Sequence, residues 1–269
     1  MSAARGPVVL LMVDGLRPDA LAECDCPALR GLRARSASTL QATAVVPSRT
    51  LACHLSLFHS VSPERHGVVW NQDRPQDSGA PALVDLAHAA GLRSAAVFNW
   101  GPLRQIGGPE SWQATLHRET LLQRDGDEWV ADAAIGLLAE DRLDFAFVYF
   151  GTVDVVGHAE QFMSDPYLRQ VERVDGCVAR LLNALPPGAH VLLQADHGGH
   201  EWDHGTDLPE DLLIPWMLSG PLARAGHELA GPVSLLDSAP TLARLLGLDP
   251  PPAWEGRCVE EALEPSTSS

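Results

Sequence analysis

Lysine is absent from this chain of 269 residues, so its 19 basic residues are all arginines. They are outnumbered by 35 aspartates and glutamates, and the formal net charge is −16 at pH 7. Such an acidic surface repels polyanions, and we therefore expect no duplex nucleic acid among the partners. The charge says little about a small anionic ester as a ligand, because bound metal ions would reverse the local field.

Long apolar runs are missing as well. No run approaches the roughly 20 residues that cross a bilayer, so we expect no membrane partner. The lead-in from Met1 to Pro7 is too short and too polar for a secretory signal, and a cytoplasmic protein is expected. The five cysteines are an odd number without repeated paired spacing, which argues against a disulfide framework. No pattern in the sequence sets the oligomeric state.

Strand-like and helix-like segments alternate in what remains, and 45% of the residues are hydrophobic, enough for one large domain. Five continuous apolar runs predict strands that are covered on both faces. These runs are Val8–Val13, Ser94–Phe98, Phe145–Phe150, Val191–Gln194 and Ile214–Leu218. Helices are predicted over Pro81–Ala90, Asp127–Glu140, Pro166–Ala184 and Ser234–Leu246. The alternation predicts an α/β domain with a largely parallel sheet.

Two segments do not fit this alternation. Trp100–Arg124 is irregular and rich in glycine, and we interpret it as a loop or a small cap excursion near the site. The tail Glu264–Ser269 is expected to be disordered. We therefore predict a single domain over residues 1–263.

Ionisable side chains cluster where the fourth predicted strand ends. Asp196 and His197 follow that strand almost directly, and His200 and His204 come soon after. Carboxylate and imidazole groups are ligands for zinc and similar cations, so their grouping at one strand end indicates a metal site. His200 is an additional candidate rather than a core member of this set.

Two further segments contain candidate functional residues, whose roles depend on their combination with that cluster. Asp14 ends the first predicted strand, where ligands bind in open α/β sheets, although it could simply cap the next helix. Thr50 lies where a loop enters a short helix, and phosphate oxygens bind well at such a helix start. A metal-bound Thr50 hydroxyl could attack as an alkoxide, whereas a plain capping threonine is the alternative. Ser48 is the rival nucleophile in the same loop.

Asp154 and His158 follow the third predicted strand. A spacing of four residues lets both side chains close on one cation in a helical or turn-like conformation. The intervening Gly157 removes side-chain bulk at that point. Asp203 and Asp207 are candidates for orienting the ligating imidazoles, with solvated turn carboxylates as the alternative.

These segments, taken in order, resemble the alkaline phosphatase superfamily, and most closely its branch of type I phosphodiesterases and nucleotide pyrophosphatases. The resemblance runs from Val8 to about Leu248 and implies a three-layer α/β/α sandwich with one catalytic domain. The matching motifs are Val13-Asp14-Gly15, Thr50, Pro63-Glu64-Arg65-His66-Gly67, Asp154-x-x-Gly157-His158, Asp196-His197-Gly198 and His204-Gly205.

The resemblance implies two divalent metal ions, usually zinc, with manganese in some branches. The metal beside the nucleophile would be held by Asp14, Thr50, Asp196 and His197. The other metal would be held by Asp154, His158 and His204. Asn71 occupies the position of an asparagine that contacts a phosphoryl oxygen, and a turn asparagine is the alternative.

The sequence departs from the nucleotide pyrophosphatases at two points. These relatives tend to have an aromatic residue directly after the nucleophile, where it helps to hold a base, and Leu51 occupies that substrate-binding position here. Their last histidine ligand follows a helix end like Leu245–Leu248, but no histidine follows it in this chain, so His204 takes that role. Both departures concern nucleotide specificity more than the metal site.

The implied function is a two-metal-dependent hydrolase of phosphoric esters that works through a phosphothreonine at Thr50. Phosphodiesters are favoured, because a monoester needs extra positive charge and the arginines near the motifs, Arg17, Arg49 and Arg65, are surface residues by default. A phosphomonoesterase or a phosphonoacetate-type phosphonate hydrolase is the alternative on the same scaffold. A catalytically silent metal-binding or ligand-binding relative is the alternative of another class. A phosphoglycerate mutase is disfavoured, because 269 residues leave little room for its second domain.

Overall fold

The computed structural model describes residues 6–75, 77–140 and 142–265. Its seven strands are β1 Val8–Val13, β2 Ala37–Thr43, β3 Ser94–Phe98, β4 Ala114–His117, β5 Phe145–Phe150, β6 His190–Gln194 and β7 Leu213–Ser219. The helices are α1 Ala20–Glu23, α2 Pro27–Arg35, α3 Thr50–His59, α4 Pro63–His66, α5 Leu83–Ala89, α6 Gly126–Glu140, α7 Thr152–Glu160, α8 Asp165–Ala184, α9 Pro209–Leu212 and α10 Ser238–Leu246. Short 3₁₀ turns lie at Gly101–Gln105, Leu235–Asp237 and Glu260–Ala262.

The strands form one sheet in the order β2-β7-β6-β1-β5-β3-β4. The pairings between β6, β1, β5, β3 and β4 are parallel, and β7 is antiparallel to both of its neighbours. Every residue of β1, β5 and β6 is buried, as expected for parallel strands covered on both faces. The predicted mixed α/β architecture, with a mostly parallel sheet flanked by helices, is confirmed.

Strand register determines where the site forms. Val13 at the end of β1 pairs with Phe150 at the end of β5, and Met12 pairs with Gln194 at the end of β6. The three central strands therefore end at the same level, and the segments that follow them meet at one edge of the sheet. This carboxyl edge is where ligands bind in open parallel sheets.

The five predicted strands and four predicted helices are present, with ends that differ by up to two residues, apart from the last helix, which begins with a 3₁₀ turn. Two strands were missed. β2 is interrupted by an irregularity between Thr39 and Ala42, which breaks the sequence alternation. β4 is only four residues long and half-exposed at the sheet edge, so the segment expected to be a loop or small cap instead supplies an edge strand.

Both ends of the chain extend beyond the described residues. Part of the expected lead-in, residues 1–5, and the last four residues of the expected disordered tail lie outside the described residues. Glu264, where that tail was expected to begin, donates a main-chain hydrogen bond to Leu222. No helix in the described part of the chain has the length and apolar character needed to cross a membrane.

Candidate metal centre and active site

Four segments of the chain bring predicted ligands to the carboxyl edge of the sheet. Asp14 follows β1, Asp154 lies in the first turn of α7 after β5, and Asp196 follows β6. Thr50 is the first residue of α3, the helix that follows β2. All four residues are at least nine-tenths buried, so strand ends and helix starts bring polar and ionisable groups into a space with little water.

One group of these residues surrounds the Thr50 hydroxyl. His197 Nδ1 donates to the Gly198 carbonyl at 2.8 Å, which leaves Nε2 as an acceptor, and Thr50 Oγ1 lies 3.2 Å from that nitrogen. The same Nε2 is 3.3 Å from Asp14 Oδ1 and 3.4 Å from Asp196 Oδ2. The structure thus brings together the four residues predicted for the metal beside the nucleophile.

The second group lies directly beside the first. Asp154 has one oxygen 3.4 Å from His158 Nε2 and the other 3.6 Å from His204 Nε2. The rings of His204 and His197 stack with centroids 3.7 Å apart, which joins the two groups. Suitable donor atoms of Asp14, Asp154 and His197 also lie within 4.8 Å of one another, so Asp154 is shared by the two candidate ligand groups.

Main-chain carbonyls orient the three imidazoles in the same way. Each Nδ1 bonds a carbonyl oxygen, that of Gly198 for His197, of Trp202 for His158 and of Ser48 for His204, at 2.6 to 2.8 Å. Each Nε2 is thereby aimed at the cluster as an unprotonated acceptor in the neutral ring. This second hydrogen bond is the usual way in which proteins fix the tautomer of a metal-ligating histidine.

Three buried carboxylate oxygens have no hydrogen-bond partner among the described residues: Asp14 Oδ1, Asp154 Oδ1 and Asp196 Oδ2. Leaving such atoms unpaired in an apolar interior is costly, and a bound cation removes that cost. The donor set of carboxylate, imidazole and hydroxyl groups also matches what zinc and related ions bind. On both grounds the residues fit bound divalent metal.

The pKa values of the clustered carboxylates also favour a bound cation. Burial, together with the neighbouring Asp196 and Asp154, raises the pKa of Asp14 well above its ordinary value, and burial likewise raises the pKa of Asp196. Burial also works to raise the pKa of Asp154, but His204 and His158 outweigh it and lower that pKa. Packing three carboxylates this closely is unfavourable without positive charge, which bound cations would supply.

Asn71 and Leu51 adjoin the Thr50 end of the site. Asn71 Oδ1 accepts the main-chain N–H of Leu51 at 3.0 Å, so the Asn71 amide is fixed one residue from Thr50. The Leu51 side chain is fully buried, contrary to the expectation that it contacts substrate. A hydrophobic side chain in the inner turn of α3 packs into the core, so only the Leu51 main chain could meet a ligand.

Other predicted residues have different partners. Ser48 Oγ donates to the Thr206 carbonyl and accepts the Gly205 N–H, so the rival nucleophile is engaged in a main-chain turn. His200 Nδ1 bonds Asp211, which is buried, at 2.7 Å. The structure does not place His200 in either candidate metal group. Asp203 accepts the His204 main-chain N–H and pairs with Arg49, so it orients the turn rather than an imidazole.

Two buried side chains that sequence reasoning passed over also contact the cluster. Tyr149, in β5, donates a hydrogen bond to Asp14 Oδ2. His54, one helical turn after Thr50, bonds the Thr50 carbonyl through Nδ1 and lies 3.6 Å from Asp196 Oδ2. The spacing of four residues between Thr50 and His54 was the one available signal for the second, since it puts both on the same face of α3.

Glycines make room for an aromatic wall beside the second group. A side chain at Gly157 or at Gly199 would come within 2.6 Å of the Phe162 ring. The Phe162 ring in turn packs edge-on against His158. Gly157 and Gly199 therefore have a steric explanation, close approach to Phe162.

The mostly parallel seven-stranded sheet, with carboxylates and imidazoles gathered at its carboxyl edge, defines an alkaline-phosphatase-like protein. The chain belongs to the type I phosphodiesterase / nucleotide pyrophosphatase family, whose sequence profile matches residues 8–228. Among solved structures, murine ectonucleotide pyrophosphatase/phosphodiesterase 5, inactive and in complex with AMP, superimposes with a TM-score of 0.82. That match is 16% identical and covers 97% of this chain and all of the other.

Two other kinds of protein are also similar. A 2-O GAG sulfatase superimposes with a TM-score of 0.78 at 14% identity, over 98% of this chain and 76% of the sulfatase. The 2,3-bisphosphoglycerate-independent phosphoglycerate mutase of Syntrophotalea carbinolica is 35% identical over 143 residues, 51% of this chain. That of Halobacterium salinarum is 33% identical over 138 residues, 49% of this chain. The matched part is only about a quarter of either mutase, 26% and 27%.

Proposed function

We propose that the protein is a two-metal-dependent hydrolase of phosphoric esters, with phosphodiesters as its preferred substrates and Thr50 as its nucleophile. Family membership supports phosphoric ester hydrolysis as the class of reaction. The single observation that carries the finer proposal is the position of the Thr50 hydroxyl, 3.2 Å from His197 Nε2 and beside carboxylate oxygens that lack partners.

Asp14, Thr50, Asp196 and His197 would hold one ion, and Asp154, His158 and His204 would hold the other. Zinc is the metal that we favour for this set of nitrogen and oxygen donors, with manganese as the alternative. When bound, the ions would lower the pKa of the Thr50 hydroxyl and neutralise charge on the phosphoryl and leaving-group oxygens.

The protein's own residues then have distinct tasks. Thr50 Oγ1 gives up its proton to solvent and attacks phosphorus in line with the leaving group. The ester P–O bond breaks, the alcohol departs with a proton taken from water, and the phosphoryl group, still carrying its second ester substituent, remains on Thr50. His197 Nε2, which faces the hydroxyl, and the first turn of α3 position the nucleophile. The amide nitrogen of Asn71, whose oxygen is anchored on Leu51 N, donates to an equatorial phosphoryl oxygen. Water then cleaves the Thr50–phosphate bond and regenerates the hydroxyl.

The test is a pair of assays on metal-loaded protein. We expect a bis-aryl phosphate to be hydrolysed faster than the matching aryl monoester. Acid quenching during diester turnover should trap an aryl phosphoryl group on Thr50, located by mass spectrometry, whereas the monoester should leave phosphate there. Thr50→Ala should keep both metals and lose turnover, whereas Ser48→Ala should still be phosphorylated at Thr50. Near wild-type diester turnover by Thr50→Ala with metal bound would contradict the proposal, and metal binding without any hydrolysis would indicate a silent relative.

Phosphoryl transfer to a second hydroxyl is the competing proposal, supported by the sequence match to the phosphoglycerate mutases. It predicts interconversion of 2- and 3-phosphoglycerate, with phosphate retained on the substrate. Release of inorganic phosphate or of an alkyl phosphate, without interconversion, favours the hydrolase. A phosphonate hydrolase would be identified by turnover of phosphonoacetate in the same series.

A further inference from the structure

Arg49 directly precedes Thr50, and its guanidinium group is held by contacts on three sides. Its Nη1 is 2.9 Å from Asp203 Oδ1, and its Cζ lies 4.9 Å from the centre of the Trp70 ring. A side chain at Gly205 would come within 2.3 Å of Arg49 Nε, so the guanidinium packs closely on the Gly205 backbone. Trp70 adjoins Asn71 and Gly205 adjoins His204, which places Arg49 at the rim of the candidate site.

The other two arginines near the motifs are bound elsewhere. Arg17 pairs with Asp19 and donates to the Gly199 carbonyl. Arg65 pairs with Glu255 and donates to the carbonyls of Ala253 and Ser78. Of these three arginines, Arg49 is the one that adjoins Thr50 and contacts the neighbours of Asn71 and His204.

The charge of Arg49 is balanced by Asp203. The same Asp203 Oδ1 also accepts the His204 main-chain N–H at 2.8 Å, so its carboxylate is held in place on the ligand-bearing turn. The pair as a whole therefore adds no net charge at the rim. This matters for selectivity, because a phosphodiester carries one negative charge near pH 8, whereas a phosphomonoester, with a second pKa of about 6, carries close to two.

We propose that the Arg49–Asp203 pair sets the charge preference of the site, and that Asp203, by neutralising Arg49, favours singly charged phosphodiesters over doubly charged phosphomonoesters. This inference rests on the proposed function. Trp70 and the Gly205 backbone hold the guanidinium where it is, so loss of the Asp203 charge would leave an unbalanced cation at the rim. A dianion gains more from that cation than a monoanion does.

The test is Asp203→Asn, which removes the charge but keeps an oxygen that can accept the His204 N–H. We expect the ratio of kcat/KM for an aryl monoester to that for the matching diester to rise about fivefold, as for one unit charge at about 8 Å and an effective dielectric of about 40. The rise should shrink in 1 M salt, where charges are screened within about 3 Å. Binding of inorganic phosphate to metal-loaded Thr50→Ala should tighten by a similar factor when Asp203→Asn is added.

Two variants serve as controls. Asp25→Asn removes the same charge from an exposed ion pair with Arg30 that includes no site residue, and it should leave the ratio unchanged. Adding Arg49→Met to Asp203→Asn should abolish the gain, because the cation is then absent. The metal content of each variant is measured to confirm that the metal site, which includes His204, is intact.

The outcomes separate the two proposals. An unchanged ratio and unchanged phosphate binding in Asp203→Asn, with diester turnover intact in the wild type, overturn the charge role and leave the hydrolase standing. A gain that persists without Arg49 or in high salt also overturns it. Absence of all turnover in the wild type refutes the hydrolase proposal. The charge role of Asp203 is then tested by phosphate binding alone, with and without Asp203→Asn.

Discussion

His158 and His204 face each other with their Nε2 atoms 3.1 Å apart. Since the Nδ1 of each ring bonds a main-chain carbonyl, each neutral ring has its lone pair on Nε2, and two lone pairs at this distance repel unless a proton or a cation lies between them. The hydrogen bond to Asp154 raises the pKa of His158 to about 9, while burial lowers the pKa of His204 to about 4. A single positive charge shared by the two rings and Asp154 satisfies this geometry, and a metal ion would satisfy it fully.

Metal removal should therefore destabilise the fold. A ligand that binds only the folded state adds about 2.7 kcal/mol to the free energy of unfolding when its concentration is about 100 times its Kd. We expect chelator treatment to lower the urea midpoint, and zinc or manganese to restore it. Asp154→Asn should reduce both the bound metal and the restored midpoint. Equal midpoints in chelator and in excess zinc would contradict the metal assignment.

Tyr149 should support metal binding through Asp14. Tyr149→Phe removes the hydrogen bond to Asp14 Oδ2 without changing the shape of a fully buried side chain. Loss of such a partner typically weakens metal affinity about 10- to 100-fold. We expect this weakening in a competition titration against a chromophoric chelator. Unfolding in chelator provides the control, because a variant that merely loosens the core would lose stability there and keep its metal affinity.

Gly157 gives a steric prediction with a matched control. Gly157→Ala places a methyl group about 2.6 Å from the Phe162 ring, beside His158, and overpacking of this kind costs about 1–3 kcal/mol. Gly136→Ala is the same change in α6, where nothing beyond the chain neighbours and the helix's own backbone lies within 4 Å, and it should stabilise the protein by about 0.5–1 kcal/mol.

The two glycine variants are compared by urea unfolding and by metal content. Gly157→Ala should lose stability and bind less metal, because α7 carries both Asp154 and His158. If both variants gained stability to a similar extent, the close approach of α7 to Phe162 would not be a constraint.

The sequence was sufficient for the central part of the fold because that part is regular. The parallel strands β1, β5 and β6 are continuous apolar runs, and their ends carry the acidic and imidazole residues that define the site. The antiparallel strand β2 and the edge strand β4 escaped detection because their residues are partly exposed and do not alternate cleanly. The existence of β2 depends on pairing with β7, which lies far away in the sequence, and that of β4 on pairing with β3 across an irregular segment.

Candidate site residues that belong to a sequence motif could be predicted one by one. Residues that only tertiary packing brings to the site could not. Tyr149 and His54 look like ordinary core residues in the sequence, since a tyrosine in an apolar strand and a histidine in a helix have many common explanations. Leu51 shows the opposite case: its position suggested a substrate contact, but the helix turns its side chain into the core. Which face a residue presents depends on the tertiary contacts of its element.

Asp127 also lay outside every motif, yet it holds the start of the helix that carries Asp154. Its carboxylate accepts hydrogen bonds from Asn99 Nδ2, from the main-chain N–H groups of Gly151 and Thr152, and from the Thr152 hydroxyl. The residue that precedes α7 is Gly151, which offers no capping side chain, so Asp127 supplies the cap from α6.

Burial raises the pKa of Asp127 from 3.8 to about 6, against these hydrogen bonds. The folded protein then binds this proton more tightly than the unfolded chain, so the contribution of the carboxyl to stability is full below about pH 4 and falls as the pH rises to about 6. A shift of about two units corresponds to a loss on the order of 3 kcal/mol. Asp127→Asn cannot show this loss, because it does not titrate.

The measurement is the free energy of unfolding in chelator at pH 4, 5, 6 and 7. The amide of Asp127→Asn cannot accept all four hydrogen bonds, which lowers its stability by a constant amount at every pH. Relative to the wild type, however, the variant should gain on the order of 3 kcal/mol between pH 4 and 7. Glu128→Gln, an exposed neighbour on the same helix, controls for removing one negative charge. A parallel curve for Asp127→Asn would mean that the pKa of the buried carboxyl is not raised in the folded protein, and that its hydrogen bonds offset its burial.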